Sequence, residues 1–148
     1  MLTREFTKTD YDYIVSVLDQ WFGGLSHDRA HPVFFYELGS NALIAEEFGE
    51  VVGFLLGFTT EAVPPEPVTG YIHFVGIKPE SRRQGVGRLL YDTFIKQSVA
   101  AGAKRIKAIA PIGNDESARF HRALGFTVNE EPNYAGPGRG RLVFTKHL

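Results

Sequence analysis

The most informative residues of this 148-residue chain, by type and spacing, lie between 71 and 126. Ser81-Arg82-Arg83-Gln84-Gly85-Val86-Gly87-Arg88 follows a strand-like run and opens a stretch with helical spacing at Val86, Leu89, Leu90 and Phe94. Such a junction leaves backbone N–H groups unpaired at the positive end of a helix dipole. Glycines there admit an anion to the main chain, so a pyrophosphate would fit. No Gly-Lys-Ser/Thr follows, and Gly85 and Gly87 lack the third glycine of a dinucleotide fingerprint. Taken alone, the glycine pair is equally compatible with a tight turn. Upstream, Gly76 marks close approach of a ligand or another backbone, and its neighbours Val75 and Ile77 then offer main-chain groups to an extended ligand. Downstream, Asn114 stands at a helix start and His121 lies on the same helix, before Gly125-Phe126 turn into a further strand. Two strand-to-helix mouths therefore flank one crevice.

The elements that hold these positions alternate in period along the whole chain, which reads as one α/β domain over 1–148. Leu2–Thr7 is a short strand, and Asp10 caps a helix carrying Ile14, Val17, Leu18 and Trp21 up to Gly23-Gly24. Pro32 opens a shorter helix through Val33, Phe34, Phe35 and Leu38, stopped at Gly39. Residues 41–47 and 50–59 form a hairpin turning at Phe48-Gly49, and 61–68, with three prolines, is a loop. Strands at 71–79, 105–110, 125–130 and 141–146, and helices from Val86 to near Gly102 and from Ser117 to Leu124, complete the fold. Residues 132–140 are turn chemistry throughout.

Composition removes several classes of function. Sixteen Lys and Arg against 17 Asp and Glu give a net charge of -1, so no basic field exists to hold nucleic acid. The longest apolar run is eight residues, 51–58, too short for a membrane span. With no cysteine, thiolate nucleophiles and disulfides are absent, and Met1–Asp10 lacks the apolar stretch of a secretory signal; the expectation is a cytoplasmic protein. Ser81 and Ser117 lack the Gly-x-Ser-x-Gly setting of an activated serine. His27, Asp28 and His31 match no zinc spacing, and no metal is expected.

The set of motifs resembles the GNAT superfamily of acetyl-coenzyme A dependent N-acetyltransferases. Arg82, Gly85 and Gly87 match its Arg/Gln-x-x-Gly-x-Gly/Ala signature, Ile77-Lys78-Pro79 its lead-in, and 114–126 its Asn-to-Gly-Phe helix. The resemblance implies a twisted mixed sheet of about six to seven strands flanked by about four helices, with two central parallel strands splayed around the pantetheine. It implies acetyl-CoA as cosubstrate, main-chain bonds from Val75 and Ile77 to the pantetheine and acetyl carbonyl, and a pyrophosphate cradle from Arg82 to Arg88, with Arg83 and Arg88 adding charge. Asn114 would touch the cosubstrate. Position 121 departs from the family, where many members carry a tyrosine that protonates the leaving thiolate; an imidazolium with a pKa near 6.5 is the substitute acid.

The attacking amine needs a base, and His73 is the candidate: strict alternation puts Tyr71, His73, Val75 and Ile77 on one face. Glu37 would bind a cationic amine, and Tyr36, with Trp21, Phe22, Phe34 and Phe35, would wall an acceptor pocket if these aromatics are not simply core. Tyr134 is a reserve acid. The expected reaction is direct attack of a small-molecule or peptide amine on the thioester, the rival reading an acyl-CoA sensor, and an edge strand near the C-terminus offers a homodimer contact.

Overall fold

The computed structural model describes residues 1–22, 31–38 and 41–148, and the stops expected at Gly23-Gly24 and Gly39 lie outside them. Among the described residues the strands are β1 (Leu2–Glu5), β2 (Leu43–Glu47), β3 (Glu50–Glu61), β4 (Val68–Ile77), β5 (Arg105–Pro111), β6 (Thr127–Glu131) and β7 (Arg141–His147). The helices are α1 (Lys8–Phe22), α2 (Pro32–Tyr36), α3 (Val86–Ala100) and α4 (Asp115–Ala123). One sheet runs in the order β1-β2-β3-β4-β5-β7-β6. All its neighbours are antiparallel except β4 and β5. The mixed α/β class expected from the sequence is the class observed. No helix among the described residues is long and apolar enough to cross a membrane.

Local chemistry sets the element ends. Phe48 and Gly49, at φ 53° and 78°, make the β2–β3 hairpin turn at the position its residues predict. The start of α1 differs from expectation. Asp10 sits inside the first turn, and its carboxylate accepts from the Thr7 N–H at 2.7 Å and the Thr7 hydroxyl at 2.9 Å. The two terminal nitrogens of the Arg4 guanidinium also donate to Asp10, at 2.7 and 2.8 Å. Burial would raise this carboxyl, and the Arg4 fork and Thr7 more than offset it, holding it below its usual range. Asp10 thus ties β1 to α1.

The two faces of the sheet bury two cores. Leu43, Leu55, Ile72, Leu90, Phe94, Ile106 and Phe144 form one beneath α3 and α4, and Ile14, Leu18, Trp21, Phe35, Ile44, Phe54, Leu56 and Phe74 the other beneath α1 and α2. Each such side chain contributes roughly 1.5–3 kcal/mol of transfer free energy. At Gly57 a Cβ would collide with the Phe94 ring, so glycine there is what lets α3 approach β3.

Two irregularities shape the site. The β4–β5 ladder pairs only Thr69–Ile72 with Arg105–Ala108, while β4 continues to Ile77 and β5 to Pro111, so the two strands part like a V. Beside it, Leu56 pairs with Phe74 but Gly57 with Ile72, leaving His73 as the extra residue of a β-bulge. The bulge breaks the strict alternation expected from Tyr71 to Ile77. Val75 and Ile77 pack on the α3 side, whereas His73 stacks on Phe34 of α2 at 3.9 Å.

Candidate active site

The loop after β4 leaves Ile77 through a 3-10 turn at Pro79–Ser81 and enters α3 at Val86. Arg83 and Gly85 both take left-handed φ, 63° and 85°, in the turn that leads into α3. The first backbone bond of the helix start is Leu89 N–H to the Gly85 carbonyl at 3.0 Å, so the N–H groups of Val86, Gly87 and Arg88 have no intrahelical acceptor. These groups open onto a cleft of about 800 Å³ whose walls include Arg82, Arg83, Arg88, Asn114 and Phe120. N–H donors, a helix N-terminus and arginines converge there with no carboxylate but Glu116 on the wall, an arrangement suited to a polyanion.

Not every residue of the predicted cradle points into it. The Arg82 guanidinium donates to the Trp21 carbonyl at 2.7 Å, tying the loop to the end of α1. The Gln84 amide folds back onto the Glu80 carbonyl at 3.2 Å. On the side where a Cβ of Gly76 would stand lie the rings of Phe54 and Phe22, with which it would collide.

Where β4 and β5 part, the cleft continues into a cavity of about 260 Å³ lined by Ile72, His73, Val75, Tyr91, Ile109 and His121 among others. Lys78 N–H donates to the Val52 carbonyl at 2.8 Å, so alternation turns the main-chain groups of Val75 and Ile77 away from β3, to the open edge. His73 enters the same cavity from the α2 side. Asn114 caps α4, its Oδ1 accepting from Ser117 N–H at 3.1 Å, at the far wall.

His121 is not the imidazolium the sequence suggested. It is 5% exposed and stacks on Phe144 with ring centroids 3.8 Å apart. Nδ1 lies 2.8 Å from the Ser117 carbonyl, which only an N–H can satisfy, so Nε2 is left as an acceptor for the Tyr91 hydroxyl at 2.8 Å. Burial pushes the imidazole down to about 4, partly offset by the Ser117 bond. At neutral pH its single proton is held by Ser117. Tyr91, almost wholly buried and raised above its ordinary range by burial, was not anticipated; its spacing of four from Gly87, one turn along α3, is the signal that points to it.

The aromatic cluster divides. Trp21 and Phe35 are core, Phe22 and Phe34 reach the cavity region, and Tyr36 lies outside it on Tyr11. Glu37 is exposed at the end of α2 and lines neither cavity. His31 caps α2 through Nδ1, 3.1 Å from Val33 N–H, and His27 and Asp28 lie outside the described residues.

The site is thus a sheet parted between two parallel strands, with main-chain N–H groups and arginines at the mouth of the gap. Residues 2–126 match the model of the acetyltransferase (GNAT) family, and the chain belongs to that family. An acetyltransferase of Photorhabdus laumondii is 33% identical over 106 residues, 72% of this chain and 64% of that protein. The chain spans between about a third and two thirds of the length of the curated relatives it matches. The same fold is seen in Ard1 from Thermoplasma volcanium, with a TM-score of 0.81 and 20% identity over 99% of this chain and 97% of that one. It is seen again in yncA from Salmonella typhimurium with its cofactor acetyl-CoA, with a TM-score of 0.74 and 22% identity over 99% and 93%.

Proposed function

We propose that the protein transfers the acetyl group of acetyl-CoA to a primary amine by direct attack. The observation that carries this is the parted β4–β5 pair, which joins the N–H cradle of 83–88 to a cavity containing His73. In this reading Val86, Gly87 and Arg88 N–H groups, with the arginines Arg83 and Arg88, hold the pyrophosphate. The open edge of β4 at Val75 and Ile77 bonds the pantetheine and receives the acetyl carbonyl.

An ammonium carries no lone pair, so the acceptor must lose a proton before it attacks. His73 takes that proton, directly or through a water, from the acceptor side. The amine lone pair then bonds the thioester carbon and the carbonyl pair moves to oxygen, stabilised by β4 N–H groups. Collapse breaks the C–S bond and leaves the pair on sulfur, and the nitrogen, cationic after the attack, gives up its second proton to water in the open cleft. A thiol with a pKa near 8.5 is a good enough leaving group to depart as thiolate and take a proton from water in the open cleft. His121 keeps Tyr91 in place rather than giving a proton.

The test follows free thiol released from acetyl-CoA against a panel of small amines and short peptides, with acetyl-CoA binding titrated on the same sample. Binding with amine-dependent thiol release supports the transferase. Binding without release from any acceptor favours an acyl-CoA sensor, and no binding removes the reading.

A further inference from the structure

We propose that Lys107 and Tyr134 form an anion subsite on the acceptor side, so that the acetylated amine belongs to a molecule carrying a carboxylate or similar acidic group a few bonds from its nitrogen. The inference rests on the acetyl-transfer reading and specifies its acceptor. Ile106, Ala108 and Ala110 of β5 face the α3 core, so Arg105, Lys107 and Ile109 face the α1–α2 side, where His73 lies. The two cations on that face are treated differently by the fold. Arg105 is neutralised by Glu66 at 2.6 Å and held by the Thr69 hydroxyl at 2.8 Å. Half-buried Lys107 has no ion pair among the described residues; its ammonium sits 4.8 Å from the centre of the Tyr134 ring.

An aromatic face stabilises a cation but accepts little from its N–H groups, so the ammonium keeps donors for an anion. Tyr71, the register partner of Lys107, has its phenol pushed up to about 12 by burial and by nearby Tyr134. It stays protonated at neutral pH and brings no competing negative charge. Ile109, two residues further along β5, lines the cavity that holds His73. Two residues of strand span about 7 Å, so a short molecule with its amine near His73 reaches Lys107 with its other end. The turn-rich loop 132–140 delivers Tyr134 over this point.

Two sources present that chemistry, a small amino acid and a peptide whose residue after the free amine is acidic. Matched pairs separate charge from shape: 4-aminobutanoate against 4-aminobutanamide, and a Met-Glu peptide against its Met-Gln counterpart. Each is assayed for kcat/KM by thiol release from acetyl-CoA, and for Kd by calorimetry on CoA-saturated protein. A charge-assisted contact predicts a preference of roughly ten- to a hundredfold for the acidic member of at least one pair. Lys107→Gln brings that ratio to near one, and Lys107→Arg retains most of it. Equal handling of acid and amide by the wild type in both pairs, or an undiminished ratio in Lys107→Gln, overturns the subsite. The binding arm separates the two readings: selective binding of the acid without turnover upholds the subsite and removes acetyl transfer.

Discussion

At the residue scale, two histidines that the sequence offered as base and acid have different fates. His73 is the bulged residue of β4 and lines the cavity, where the proposed mechanism has it take a proton from the incoming amine. His73→Ala is expected to lower kcat/KM by about 10²–10⁴ and to flatten its acid limb, read in a thiol-release pH profile. An unaltered profile would remove it from the mechanism. His121 holds Tyr91, and His121→Gln, whose amide can still accept the Tyr91 O–H, should retain turnover within about fivefold, far less than the loss of a general acid costs. Its depressed pKa also makes a stability prediction. The unfolded chain binds a proton near 6.5 that the native state refuses until about 4. The contribution of neutral His121 is therefore complete above pH 6.5 and is lost as pH falls toward 4, a change of roughly 3 kcal/mol in urea unfolding. In His121→Gln that part of the pH dependence should vanish.

At the element scale, the junction between β4 and α3 is the part that backbone conformation controls most tightly. A Cβ at Gly85 meets nothing, so Gly85→Ala acts only through its φ of 85°. It should cost about 1–2 kcal/mol and weaken acetyl-CoA binding about tenfold, measured by unfolding and by calorimetry. Asn114→Ala, which deletes the α4 cap, should cost about 1 kcal/mol. This junction was legible in the sequence because glycines, a strand and a helix fall in order within twenty residues. The hairpin at Phe48-Gly49 was legible for the same local reason. What could not be read was anything set by pairing between strands. The bulge at His73 depends on where Gly57 lands opposite β4, and no local pattern in 71–77 encodes it. The role of Arg82 is hidden likewise, since its partner, the Trp21 carbonyl, is 61 residues away. The sequence pattern also named Asp10 a cap where Arg4 and Thr7 make it a buried tie between β1 and α1.

At the scale of the whole molecule, the sheet carries one core on each face and parts between β4 and β5, and the proposed transfer has cosubstrate and acceptor meet in that gap. A ligand that fills that gap binds only the folded chain and stabilises it by mass action, by about 2.7 kcal/mol at a hundredfold excess over Kd. Thermal unfolding should therefore shift upward with acetyl-CoA. Whether this gap brings acetyl-CoA and an amine together for transfer is measured by thiol release at saturating acetyl-CoA as the amine concentration is raised. Release is expected to saturate with amine, to match the acetylated amine formed mole for mole, and to fall at least a hundredfold in His73→Ala. Thiol release that is independent of added amine across the panel, from a protein that binds acetyl-CoA, would contradict transfer in this gap.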